Sequence, residues 1–394
     1  MKVGFVAESF PTADEMSGGV RVSVRRQADF LSREHEVVVL AARMVFPPFS
    51  RYSEMKAAQG RGERFRSVEQ SVRVYRPPCV HFPLLWKAAE PFQLALWTVF
   101  IFSVLERGTS LIHAHRCFPA GYAAALAVSV LGLPLVLTVY GSDVNLGLDR
   151  AVVGAWVSSA TRFALRRASH VIAVSQALVE RMRAFGLEGV KTRVIPSGAD
   201  QLLPDSMGQK EAREALGLPA GGKIVLMASN LVPVKDPVTM LRAFAVLRGS
   251  EVDATLVILG KGELEPVLQR EIAALDISDA VLLKGRRPRD EVPLWLRASD
   301  VVALSSLDEG CPVIALEAFA SGRPFVGTAV GGVPEIVPDG GVGILVEPSD
   351  PEALAAALKE ALGKSWNREH IVRHGLRFSW ETVTRRISAV YAGM

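Results

Sequence analysis

VVALSSLDEGCPVIALEAFASGRPFVG, residues 301–327, is the stretch from which the fold is read. Its first four residues form an unbroken apolar run of the kind that makes a strand buried on both faces. A polar turn follows, then a short apolar helix that stops at Gly322, then a second strand near 324–327. Strand, helix, strand in so few residues implies parallel neighbours joined by a crossover. Two carboxylates stand out: Glu309 sits in the turn and Glu317 inside the apolar helix. The first free N–H groups of the helix, around residues 310–313, are expected beside Glu309. Taken alone, two glutamates at this interval also fit an ordinary exposed helix.

Working outward, the same alternation fills the chain. Strands are expected near 3–7, 37–40, 72–75, 111–113, 135–139, 171–174 and 194–195, and again near 224–228, 255–259, 281–283, 301–304, 324–327 and 343–346. Helical stretches separate them, the pattern of a parallel sheet covered on both faces. The segment 196–223 is rich in Pro, Gly and polar residues and reads as a linker. The fold class is therefore α/β, with two doubly wound domains facing a central cleft. In such sheets ligands gather beyond the carboxyl ends of the strands.

With 394 residues, 49% hydrophobic and 22% charged, the chain has ample material for two cores and is not a disordered protein. Three widely spaced cysteines, Cys79, Cys117 and Cys311, match neither a disulfide framework nor a zinc-ligand pattern, which favours a reducing, cytoplasmic setting. The start, MKVGFVAESF, runs directly into a strand and lacks the features of an export signal.

Charge is uneven. Residues 1–200 carry 24 basic against 16 acidic residues, whereas the remainder is net acidic. Between Arg43 and Arg76 eight basic residues face three acidic ones in a stretch of little periodicity, read as a mobile surface loop. Shortly after it, FQLALWTVFIFSVL, residues 92–105, is too short to cross a bilayer, for which about 20 residues are needed. Two readings stay open: a helix buried in the first domain, or a helix that lies with the basic loop on an anionic membrane, at the inner face. Nucleic acid is not an expected partner, because the basic residues are not interleaved with exposed aromatics on a groove-binding element.

The motif SGGV, residues 17–20, follows the first strand and opens a helix. Gly18 and Gly19 would let backbone N–H groups approach an anion at the positive end of that helix. A glycine turn without ligand explains them equally well. His113 and His115 share one side of a strand end. His113 is expected in the core, and His115 is expected to emerge at the cleft.

The whole segment 308–337 carries more than its parts. Glu309, Gly310, Pro312, Glu317, Ala318, Ala320, Gly322, Pro324, Gly331, Gly332, Pro334 and Glu335 resemble the pattern of the retaining, nucleotide-sugar-dependent glycosyltransferases of family 4. The resemblance continues in family order through SGGV, LIHAHRCFPAGYAAALA, LPLVLTVYGSDV, VIAVSQALVERM, VIPSGAD, ASNLVPVKDP, LVILGKGEL, VLLKGRRPRDEVPLWLRASDVVALSS and FSWETVTRRISAVY. It implies the GT-B fold, two Rossmann-like domains, the first over 1–198 and the second over 199–378, with a last helix, about 379–394, that crosses back to the first.

The same resemblance implies roles. Glu317 would accept hydrogen bonds from the donor ribose, and Glu309 would hold the donor sugar and face charge developing at the anomeric carbon. Lys235 would neutralise the diphosphate together with backbone N–H groups of Gly19 and of the segment around Pro312, those of Gly310, Cys311 and Val313. His115, Tyr140 and Asp143 become candidates for sugar or acceptor contacts, and Asn230, Gly285 and Arg286 for donor contacts, the base lying near 285–287. No general base is required in a front-face mechanism, where a departing phosphate oxygen takes the acceptor proton. No Asp-x-Asp occurs in the chain, so neither a metal nor another cofactor is expected. Departures from the family pattern are Asn230 where arginine is common, Tyr140 in place of histidine, and Ser197 in place of asparagine. Arg286, Arg287 or Arg116 could supply the missing cation. The expected activity is retaining transfer of a hexosyl unit from a nucleotide diphosphate sugar to a hydroxyl acceptor, in particular a lipid-linked or surface-polysaccharide intermediate. The alternatives are a GT-B nucleotide-sugar epimerase or hydrolase, and a non-catalytic scaffold with a decayed donor site.

Overall fold

The computed structural model describes residues 1–11, 19–45, 65–80, 86–141, 152–184, 189–200 and 207–394. They fall into two compact units. The first comprises residues 1–15, 20–195 and 384–394, the second residues 16–19 and 196–383.

In the first unit the strands are β1 (Lys2–Ala7), β2 (Glu36–Ala41), β3 (Arg43–Val45), β4 (Arg66–Glu69), β5 (Val72–Tyr75), β6 (Pro78–Val80), β7 (Leu111–His115), β8 (Leu135–Val139), β9 (His170–Ala173) and β10 (Thr192–Val194). Eight of them form one sheet among the described residues, in the order β10-β9-β8-β7-β1-β2-β5-β4, while β3 pairs with β6. All pairings are parallel except that of β4 with β5. The central strands β1, β2, β7 and β8 are buried along almost their whole length, and their sequences are mainly apolar, with His113, His115 and Thr138 as buried polar exceptions. The last helix, Trp380–Ala392, enters this unit from Thr384 onward. There Tyr391 is buried, and its hydroxyl lies 2.5 Å from His113 Nδ1.

The reading of 43–76 as a loop is corrected where the residues are described: besides β5, already expected as a strand, they form β3 and β4, because short stretches can pair at a sheet edge where composition alone suggests a loop. Arg73 bonds Glu36 and Glu106, and Arg76 lies 2.7 Å from Glu69, so these two cations are already engaged within the unit. Arg51, Lys56, Arg61 and Arg64 lie outside the described residues. The run 92–105 is helical, an α-helix over Trp86–Phe100 continued by a wider turn over Ile101–Leu105.

In the second unit the strands are β11 (Lys223–Ala228), β12 (Ala254–Leu259), β13 (Val281–Gly285), β14 (Val301–Leu304), β15 (Phe325–Thr328) and β16 (Gly343–Val346), in the order β13-β12-β11-β14-β15-β16. Every pairing is parallel. The order reverses between β11 and β14, so the loops leaving Ala228 and Leu304 diverge to opposite faces and leave a crevice between them. That crevice is where Lys235 and Glu309 are found.

Candidate active site

The site of the second unit is assembled from two loops. After β11 the chain makes a single helical turn over Pro233–Lys235 and then passes through Asp236 in a left-handed conformation, φ 41°. Asp236 caps the next helix, Pro237–Gly249, through Thr239. Ser305, just past the end of β14, donates its hydroxyl to Asp236 O at 2.7 Å, and Leu307 N donates to Val234 O at 2.8 Å. These bonds fasten the lysine loop to the glutamate loop.

Their side chains then meet. Lys235 Nζ donates to Glu309 Oε1 at 2.6 Å, and Ser306 Oγ donates to the same oxygen at 2.7 Å. Lys235 is 24% exposed and Glu309 8%, so the pair lies at the mouth of the crevice and not in the core. The backbone of Glu309 is held separately. Its carbonyl accepts from Gly332 N at 2.9 Å, and the Gly331 backbone, at φ +52°, approaches so closely that a Cβ there would lie 2.0 Å from the same oxygen. Only glycine fits at 331, which accounts for the first glycine of the pair Gly331–Gly332.

The helix Val313–Ala320 begins next to this pair. Pro312 precedes it, and neither a side-chain cap nor an acid occupies its first turn. Its positive end is therefore available to an anion. Glu317, one turn further, is 1% exposed, and its carboxylate bonds the guanidinium of Arg289. Arg289 also stands 3.8 Å from Asp200. This cation explains how a carboxylate survives inside an apolar helix. Sequence reading missed it, although a buried acid in an apolar helix is itself a signal that a partner must exist. Cys311 is partly buried against this site, and desolvation pushes its thiol up to about 12, so it is no nucleophile at neutral pH.

The structure thus brings Lys235, Glu309, Gly310, Cys311, Pro312, Val313 and Glu317 into one region of the second unit, and adds Ser306, Arg289 and Gly331. Asn230 is exposed on the lysine loop, its carbonyl accepting from Val232 N at 3.0 Å. Gly285 ends β13 in a left-handed conformation, φ 66°, and Arg286 beyond it is exposed. Arg287 lies over the Trp295 ring, and Arg116 bonds Glu8 at 2.7 Å.

Gly19, the last residue of the short stretch 16–19 that groups with the second unit, opens the helix Gly19–Leu31. Gly18 and Asp143 lie outside the described residues. The expectation that His115 emerges while His113 stays inside is corrected: both rings are buried, stacked with centroids 4.4 Å apart. His113 is satisfied on both nitrogens, by Tyr391 and by Thr138. His115 Nδ1 lies 3.0 Å from the Tyr140 hydroxyl, which also accepts from Gln27 Nε2 at 3.2 Å. Burial pushes the His115 imidazole down to about 3, so the ring is neutral under physiological conditions. Among the described residues no group of three or more His, Cys, Asp or Glu is placed to hold a metal ion.

The two halves of the chain match two sequence families: residues 18–198 the glycosyl transferase 4-like domain, and residues 208–377 the glycosyl transferases group 1. The chain belongs to this family of retaining glycosyltransferases and is an enzyme of the GT-B fold. It is 30% identical to a D-inositol 3-phosphate glycosyltransferase from Thermobispora bispora, over 71% of this chain and 70% of that one. A second protein of that description, from Acidothermus cellulolyticus, is also 30% identical, over 72% of this chain and 62% of its own length. Among solved structures, sucrose-phosphate synthase from Thermosynechococcus elongatus superposes with a TM-score of 0.79 at 20% identity, covering 100% of this chain and 98% of that one. HepE from Anabaena, solved in complex with UDP-glucose, does so at 0.73 and 22% identity, with 100% of each chain covered.

Proposed function

We propose that the enzyme moves a hexosyl unit from a UDP-sugar to a hydroxyl acceptor with retention, and that residues 235 and 306–317 form its donor site. The observation that carries this reading is the Lys235–Glu309 pair beside an uncapped helix N-terminus at the switch point of the second sheet. A diphosphate entering there exchanges one anion for another: Lys235 turns from the carboxylate to the phosphates, and Glu309, still held by Ser306, is released toward the sugar. Glu317 would receive the ribose hydroxyls once Arg289 yields its carboxylate. The UDP base is supported by the complex of HepE with UDP-glucose, a protein of the same fold.

Asn230 takes the position where family members often carry arginine, leaving Lys235 and backbone donors to balance the diphosphate. Arg116, bound to Glu8, and Arg287, over Trp295, are already engaged, and Arg286 is the exposed cation of the three. His115, neutral and buried, can orient Tyr140 for a sugar or acceptor contact but cannot supply charge. No metal is required by this arrangement.

For the acceptor we favour a lipid-linked or surface-polysaccharide intermediate met at the inner face of the membrane, supported by the basic balance of residues 1–200. A small soluble phosphorylated polyol is the second reading, favoured by the relatives described as D-inositol 3-phosphate glycosyltransferases. Thermal shift against UDP, GDP and ADP sugars tests the donor: at 100 times its dissociation constant the right one stabilises by about 2.7 kcal/mol. If UDP sugars give no shift while GDP or ADP sugars do, the base assignment fails. Incubating the stabilising donor with lipid-linked and soluble acceptors, and reading the anomeric configuration of the product, tests the rest.

A further inference from the structure

The helix Trp86–Phe100 and its continuation Ile101–Leu105 bury one side and leave the other bare. Phe92, Leu96, Phe100 and Val104 recur at every fourth position and are 49%, 73%, 44% and 47% exposed. This stripe is not isolated. The Phe92 ring meets Tyr122 edge-on at 6.1 Å, and Tyr122 in turn meets Phe163 at 5.6 Å, so the apolar surface passes without a break onto the helices Tyr122–Leu131 and Val152–Arg167. Val130, 74% exposed, extends it on the first of these. Arg162 and Arg166 are exposed beside Phe163, and Arg167 reaches across to Ser129 and the Val128 carbonyl. The three helices contain a single acidic residue, Glu90, and it is buried.

We propose that this three-helix face of the first unit is a docking surface for an anionic lipid bilayer. A surface that is apolar along its ridge and purely cationic among its exposed charges fits acyl chains below and anionic headgroups around them. A second copy of the chain fits worse, since a twofold contact would set arginines against arginines with no exposed carboxylate among the described residues of these three helices to receive them. The surface differs from the one composition suggests. Arg73 and Arg76 are engaged with glutamates, and the cations that serve it come from the helix Val152–Arg167. The inference deepens the membrane side of the acceptor reading and rests on it only for its purpose.

The test is co-sedimentation of the full chain with vesicles of phosphatidylglycerol and phosphatidylcholine, with phosphatidylcholine alone as the comparison. Neither donor nor acceptor is present, so failure here leaves the UDP-sugar thermal shift untouched, and failure there leaves this result standing. Binding to the anionic vesicles at low salt is expected, with strong loss in about 1 M salt, where the Debye length falls to roughly 3 Å. Arg162→Gln with Arg166→Gln should weaken it about thirtyfold, as two cations near the surface contribute about 1 kcal/mol each. Leu96→Asp with Val130→Asp, both at exposed positions, should abolish it while the thermal shift by UDP is retained. Absence of sedimentation with anionic vesicles, equal binding to neutral ones, or unchanged binding by both variants overturns the proposal. So does a wild-type dimer, seen by light scattering, that Leu96→Asp dissolves, because a second copy would then be the occupant.

Discussion

Lys235 and Glu309 hold each other, and either one alone is left with a charge whose partner is missing. Lys235→Ala should leave the fold intact by circular dichroism, because the loop is fastened through the backbone at Val234 and Asp236, while turnover falls at least about 100-fold. Glu309→Gln keeps the shape but not the charge, and a comparable fall is expected. Full activity of Glu309→Gln in a donor-consumption assay would remove the residue from the mechanism. Glu317 behaves differently, since its partner Arg289 is 19% exposed and retains Asp200 nearby. Glu317→Ala should cost about 3 kcal/mol of stability, the lower end for a broken buried pair, and raise the KM for donor more than it lowers kcat. Chemical denaturation and steady-state kinetics on one preparation separate the two effects.

At the scale of elements, the diglycine turn before the helix Val333–Ile336 acts on the site without touching ligand. Gly331→Ala would push a Cβ into the Glu309 carbonyl at 2.0 Å, in a backbone conformation that alanine tolerates poorly. Loss of about 1–3 kcal/mol and a matching fall in activity are expected, as the carboxylate is displaced from Lys235 and Ser306. Gly340→Ala is the control, because its Cβ would meet only Lys364 Nζ, at 3.8 Å. Equal thermal stability and activity of the two variants would show that the turn does not position Glu309. The strands themselves were legible because each is a short apolar run bounded by Gly, Pro or polar residues. β3, β4 and β6 were not, since three or four residues at a sheet edge alternate too briefly to stand out from a loop.

For the whole molecule, the buried His113 and His115 make the first unit sensitive to acid. Burial holds both imidazoles below the ordinary 6.5, His115 at about 3. Between those values the unfolded chain binds more protons than the folded one, so stability is lost as pH falls from about 6.5. The slope is up to roughly 1.4 kcal/mol per pH unit for each histidine. Melting temperatures recorded from pH 7.5 to 4.5 should fall along this course, and His115→Gln should flatten it. A profile unaffected by that substitution would mean the ring is not held neutral.

By itself the sequence determined the alternation of strand and helix, and with it the parallel sheets, because burial on both faces writes a continuous apolar run into each strand. Its resemblance to a known family pattern also marked Lys235, Glu309 and Glu317 as residues of interest. Tertiary structure alone decided what each of these touches. Arg289 and Glu317 are 28 positions apart, Lys235 and Glu309 are 74 apart, and only the reversal of strand order between β11 and β14 carries the second pair to within 2.6 Å. The same reason hid the burial of His115. Alternation along a strand fixes which face a side chain takes, but whether that face is covered depends on chain elements far away in sequence.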